Sequence, residues 1–163
     1  METDTRTEAA RMRGETEAER HDRQLSELLQ ELRVVVPGVQ VLFAFLLTVP
    51  FAARWGRTTD LQRDVYFATL LLTAVATLLL MAPTAIHRTL FRRLQKRRIV
   101  EIGHRLAIAG LALLVLAIAG AVVLVTDVLF TTASAFTVGA GVVALAVVLW
   151  AVVPFVAGRR EPP

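Results

Sequence analysis

Four long apolar stretches divide the chain. Neither a charged residue nor a histidine falls between Arg33 and Arg54, between Asp64 and His87, between Arg105 and Asp127, or between Asp127 and Arg159, which leaves runs of 20, 22, 21 and 31 residues. A helix rises about 1.5 Å per residue, so about 20 residues cross a hydrocarbon layer about 30 Å thick. The runs predict four transmembrane helices over about 34–53, 65–83, 104–126 and 134–157. In "LAIAGLALLVLAIAGAVVLV" no polar face recurs every 3.6 residues, as a helix of a soluble bundle requires. The first run follows 33 polar-rich residues and is itself 20 long, whereas a secretory signal has a short basic start and an apolar core of about 7–15 residues. The predicted fold is all-α: an integral membrane four-helix bundle with an N-terminal cytoplasmic amphipathic helix.

That last helix comes from a different periodicity. Residues 1–14 are short, polar and threonine-rich, the composition of a disordered tail. From Glu15 the pattern changes: Leu25, Leu28, Leu29 and Leu32 recur at i, i+3, i+4 and i+7, one face of a helix. This predicts a cytoplasmic amphipathic helix over 15–33, with Glu19 and Arg23 spaced to pair. It leads into a transmembrane domain over 34–158 near Pro37 and leaves a tail at 159–163. The leucine face packs on the membrane surface or on the protein itself; a coiled-coil contact between subunits is the sharper alternative, with only about two heptads to carry it. Pro37, Pro50, Pro83 and Pro154 lie within a turn or so of a predicted span end, where proline is least disruptive. Trp55, Trp150 and Tyr66 are placed to anchor at an interface.

Charge orients the spans. Placing both termini and the long loop between the second and third spans on one side gives that side fifteen Lys and Arg against three, and cytoplasmic segments carry the excess. The expected location is therefore a bacterial inner membrane with both termini cytoplasmic. The loop "HRTLFRRLQKRRIVEIGHR" holds Arg88, Arg92, Arg93, Lys96, Arg97 and Arg98, with Leu90, Phe91 and Leu94 as an apolar side. It reads as a short basic helix at the inner interface or as a plain topology marker. Each basic residue contributes about 1 kcal/mol toward anionic lipid. Residues 1–33 carry nine acids against six bases, so the arm is expected to lie against this loop, in its own or a neighbouring subunit. The partners expected are membrane lipids, anionic at the inner face, and a homo-oligomer. Nucleic acid is not expected, since no recognition motif accompanies the basic patch.

At "LSELLQELRVVVPGVQVLFAFLLTVPF", "QRDVYFATLLLTAVATLLLMAPTAIHR" and "VTDVLF" the chain resembles a set of small four-span membrane proteins of high-GC bacteria, grouped as a domain of unknown function and often labelled automatically as sodium:proton antiporters. The resemblance covers roughly residues 15 to 130. It implies four spans and, through the label, cation transport. It brings no characterised catalytic or binding residue.

The chain has no cysteine, which excludes disulfides, thiolate chemistry and cysteine zinc sites. Glu101 and His104 stand three apart, as in one carboxylate–histidine ligand motif, with His87 near. A di-iron bundle needs two such motifs and two further carboxylates, so no metal site is expected. No nucleophile–base pair or phosphate loop is visible, and neither an enzyme nor a cofactor is predicted. Within the spans, Thr69, Thr73 and Thr77 form a stripe at i, i+4 and i+8. Three roles are open to it: packing across an interface, bonding back to the i−4 carbonyl, or lining a water path. Gln40 is expected to bond a neighbouring helix. Small residues four apart (Gly103/Ala107, Ala117/Ala121, Ala133/Thr137/Gly141, Ala140/Ala144) predict close approach of the third and fourth spans.

Asp127 is the only acid between Glu101 and Glu161. A span from Arg105 reaches 30 Å near Leu124, which puts Asp127 at the outer boundary, where Thr131, Thr132 and Ser134 supply turn and cap chemistry. Proton-coupled transport calls for an ionisable group deep in the membrane. The reading favoured is a non-enzymatic scaffold or accessory subunit acting through the charged arm and basic loop. The alternative is an oligomeric ion channel or cation/proton transporter, with Asp127, Gln40, Thr69, Thr73 and Thr77 along the path. The charge asymmetry makes a direct prediction: reporter fusions at Pro163 and within residues 56–60 read inside and outside respectively, and an outside signal at Pro163 overturns the orientation.

Overall fold

A computed structural model describes residues 17–52, 55–90, 96–153 and 155. Every regular element among them is helical. Helix α1 spans Glu17–Thr48, α2 Asp60–Leu90, α3 Lys96–Leu129 and α4 Thr132–Val147. Short 3-10 turns at Val49–Phe51 and Trp55–Arg57 link α1 to α2, and a π-helical turn at Val148–Val152 extends α4. Four stretches are long and apolar enough to cross a membrane: Ser26–Phe51, Asp60–Ile86, Glu101–Leu129 and Thr132–Val152.

The amphipathic helix and the first span are one helix of 32 residues, roughly 48 Å long. The expected division near Pro37 is absent for a local reason. Pro37 lacks an N–H, so the carbonyl of Arg33 loses its i+4 donor. Arg33 is exposed and carries the last charge before the apolar run, where water can take that carbonyl. The leucine face settles on the protein itself: Leu32 is buried and Leu28 packs beside it in a core with Val39, Leu80 and Ala107. Arg23 bonds Glu27 at 3.1 Å. Residues 1–16 and the side chains at 87–100 lie outside the described residues, and with them the expected contact between the acidic arm and Arg88, Arg92, Arg93, Lys96, Arg97 and Arg98.

Helix α3 is the centre of the bundle; α1, α2 and α4 all pack on it. Its small residues set the spacing. A Cβ on Gly110 would stand 2.8 Å from Leu80 Cγ and 3.3 Å from the carbonyl oxygen of Ala76, and one on Gly120 would collide with Thr69 Oγ1. Gly103 faces Pro83 and Leu28. Ala107 and Ala117 are buried between these glycines. In lipid no hydrophobic drive pulls helices together, so close backbone approach has to supply the attraction.

Helix α4 uses a different row of small residues from those expected. Ala135 and Gly139 are buried against α3, with Gly139 under the Val123 side chain and near the carbonyl of Ala119. Ala133, Thr137, Ala140, Gly141 and Ala144 are exposed. Both rows have the four-residue spacing; they differ by the rotation of the helix about its axis. The connection between the two helices is only Phe130 and Thr131, shorter than the predicted spans over 104–126 and 134–157 leave. Thr131 caps α4, its hydroxyl accepting from the Ser134 N–H.

The fit at Gly120 gives a contrast between two glycines. Gly120→Leu forces α2 from α3 and costs about 1–3 kcal/mol, read as a lower midpoint in detergent-induced unfolding. Gly141→Ala, at a position inside α4 with nothing within 4 Å, does not lower the midpoint and raises it by what helix propensity contributes, at most about 1 kcal/mol.

Candidate functional site

Tyr66, Gln62 and Asp127 lie at the end of the bundle that carries the α1–α2 and α3–α4 connections. The arrangement starts from the backbone. Pro50 has no N–H, so the carbonyl of Leu46 has no helical donor. The hydroxyl of Tyr66 donates to that carbonyl at 3.0 Å. Trp55 meets the Tyr66 ring edge to face, with centroids 4.9 Å apart and planes at 74°, a favourable aromatic arrangement. Tyr66, expected as an interfacial anchor, is buried and joins α2 to the end of α1.

Thr59 and Gln62 form a capping box at the start of α2. The Thr59 hydroxyl accepts from the Gln62 N–H at 3.2 Å, and the Gln62 side-chain carbonyl accepts from the Thr59 N–H at 3.1 Å. This leaves the Gln62 amide nitrogen facing α3, where it donates to Asp127 Oδ2 at 2.8 Å. Asp127 lies in the last turn of α3, and the Thr132 side chain stands against its carboxylate. Its other oxygen, Oδ1, is covered but makes no hydrogen bond of good geometry among the described residues. The carboxylate thus sits near the first turns of α2 and α4, whose dipoles favour a negative charge, while its own place in the last turn of α3 opposes one. "TTDLQ" holds the capping-box signature; it could have identified Gln62, which was not among the candidates.

The other candidates are dispersed. Thr69, Thr73 and Thr77 each donate to the carbonyl four residues back, at 2.6, 2.8 and 2.7 Å. Thr69 and Thr73 are fully buried, and Thr69 presses on Gly120. Gln40 is exposed on α1 and makes no hydrogen bond among the described residues, contrary to the expected bond to a neighbouring helix. The row that meets the bundle runs through Leu32, Val39 and Leu46, and Gln40 lies off it. Glu101 pairs with Arg105 at 2.7 Å, His104 is exposed, and the described residues contain no group of three metal-ligating side chains.

Two cavities lie at the same end. One, of about 10 Å³, is bounded by Gln62, Val65, Val123, Asp127 and Phe136, barely the space of a water. The other, of about 200 Å³, opens between Phe45 of α1, Val49 of the turn that follows it, and Leu124, Val125 and Val128 of α3, and is almost wholly apolar. Neither is lined by Gln40 or by the threonine stripe.

The model of a family described as "Family of unknown function (DUF6328)" matches residues 14–154. The chain belongs to this family. No curated protein and no solved structure matches it. The matched region takes in all four apolar helices and the amphipathic start of α1, so the Tyr66–Leu46 and Gln62–Asp127 contacts both fall inside the family's domain.

The Tyr66 contact has a specific compensation. Tyr66→Phe leaves the Leu46 carbonyl buried without a donor and costs about 1–3 kcal/mol, measured as a lower unfolding midpoint. Pro50→Ala returns the N–H that Leu46 lacks, so Tyr66→Phe combined with Pro50→Ala recovers most of that loss. A loss in the double variant as large as in the single one overturns the assignment.

Proposed function

We propose that the protein is a small polytopic protein of a bacterial inner membrane, with both termini cytoplasmic, serving as a non-enzymatic scaffold or accessory subunit through its charged arm and basic loop. The observation that carries this reading is the use made of the polar groups inside the bundle. The threonine stripe is bonded back on its own helix, and Thr69 is seated on Gly120. Tyr66 closes a carbonyl, and Gln62 ties α2 to α3. Thr69, Tyr66 and Gln62 each hold helix to helix. The charges available to a partner are at the ends: nine acids in residues 1–33, and the basic cluster from Arg88 to Arg98. Anionic lipid at the inner face and a second copy of the chain suit that arrangement; nucleic acid, a metal and an organic cofactor have no part in it.

A second reading rests on Asp127. Its covered Oδ1 makes no hydrogen bond of good geometry among the described residues, and Asp127 borders the 10 Å³ void, an arrangement that offers an oxygen ligand to a small cation or a proton. An oligomeric ion channel or cation/proton transporter, as the antiporter label implies, would use this carboxylate.

One experiment separates the two. Purified protein in proteoliposomes gives no sodium- or proton-dependent flux above empty vesicles, and Asp127→Asn matches the wild type in insertion, abundance and oligomer size. Wild-type flux that disappears in Asp127→Asn while the fold survives establishes transport instead.

A further inference from the structure

Gln40 stands seven residues beyond Arg33, the last charge before the first apolar run, which is about 10 Å along the helix axis. It therefore lies within the hydrocarbon. Its amide has two donors and a carbonyl acceptor. The other polar side chains followed through the spans find a partner inside the chain: Thr69, Thr73, Thr77 and Thr137 on carbonyls four residues back, Tyr66 on Leu46, Gln62 on Asp127. Gln40 points away from the bundle without one among the described residues. An amide facing lipid tails leaves donors and acceptor unsatisfied, and hydrocarbon offers no replacement.

The surface around it is regular. Arg33, Pro37, Gln40, Ala44 and Leu47 alternate four and three residues apart on α1, and all five are exposed. That spacing is the seam along which two helices pack at a shallow crossing angle. Ala44 lets the backbones approach next to the amide. We propose that this seam of α1 is the face on which a second copy of the chain docks, in parallel, with Gln40 bonded to Gln40 across a two-fold axis along the membrane normal.

The occupant follows from symmetry and from the chemistry of the amide. A two-fold axis along the normal brings each residue of the seam to the depth of its own copy. Glutamine is self-complementary: the N–H of each donates to the carbonyl of the other, so two bonds form from identical surfaces. No separate partner with matched groups at that depth is required. Arg33, at the polar boundary, turns its guanidinium out to the headgroups along a flexible stem and does not face its counterpart. The proposal is independent of whether the protein is a scaffold or a transporter.

The absence of native cysteine makes the test direct. Single cysteines are introduced in the full-length chain by Ala44→Cys, Leu47→Cys, Val39→Cys and Gly141→Cys, and native membranes are oxidised. Dimers form at positions 44 and 47, and not at 39, which faces the bundle, or at 141, on α4. In fluorescence energy transfer between labelled copies in vesicles, Gln40→Leu lowers the association constant about 3- to 30-fold, the range for one or more hydrogen bonds between membrane helices. Gln40→Asn, which keeps an amide, loses less. Gln40 is exposed and makes no hydrogen bond among the described residues, so both variants keep the wild-type unfolding midpoint when it is measured at a dilution where the protein is monomeric. Cross-linking at 141 in place of 44 and 47, a monomer at all four positions, or association unchanged in Gln40→Leu each overturns the proposal.

Discussion

The seating of Thr69 on Gly120 fixes the distance between α2 and α3, and the rest of the bundle is built on that pair. Neither side of the contact works without the other. A side chain at 120 would have to occupy the place of the threonine hydroxyl. The hydroxyl can sit in so dry a place only because it donates to the Val65 carbonyl of its own helix. The same logic recurs one layer along, where Leu80 covers Gly110, and next to the other connection, where Pro83 meets Gly103. Each glycine of α3 thus receives a specific residue of its neighbour. In a lipid environment, where burying apolar surface against another helix gains little over burying it in acyl chains, such fits supply the attraction.

Proline gives the bundle its second constraint. Pro37 and Pro50 each remove one helical donor from α1, and the two freed carbonyls meet different fates. The carbonyl of Arg33 lies at a polar boundary beside an exposed charge. That of Leu46 lies deeper, and the protein answers it with Tyr66 from another helix. A feature that would weaken an isolated helix becomes a tertiary link, and it places Trp55 against the tyrosine ring. Gln62 acts in the same way from the other side of the junction: its capping-box bond fixes the side chain, and its remaining amide hydrogens reach α3. Three helix ends are thereby tied together by side chains within a few residues of each other.

This distribution bears on function. Tyr66, Gln62 and the threonine stripe are all engaged within the chain, and Tyr66, Gln62 and Thr69 serve the joints between helices. Among the described residues Gln40 is turned outward without a hydrogen bond, and one covered oxygen of Asp127 has none of good geometry. The first is suited to meeting another copy of the chain, the second to holding a proton or cation. They lie on different helices, α1 and α3, so association and any ion binding can be changed separately.

The spans were legible because charge placement obeys the bilayer. Arg33, Asp64, Arg105 and Asp127 bound runs that no other environment explains, and the composition alone excludes thiol chemistry. The capping box at Thr59 and Gln62 was equally present in the sequence as a local pattern. The partners of Tyr66, Gln62 and Gln40 were not legible. Pro50 shows from sequence that the Leu46 carbonyl lacks a donor, yet nothing local says that a tyrosine 20 residues away supplies it. The two rows of small residues on α4 have the same spacing, and only its rotation against α3 selects Ala135 and Gly139 over Thr137 and Gly141. Sequence periodicity reports which residues share a face. Which face meets which neighbour depends on contacts between segments far apart in the chain, and those exist only once the helices have packed.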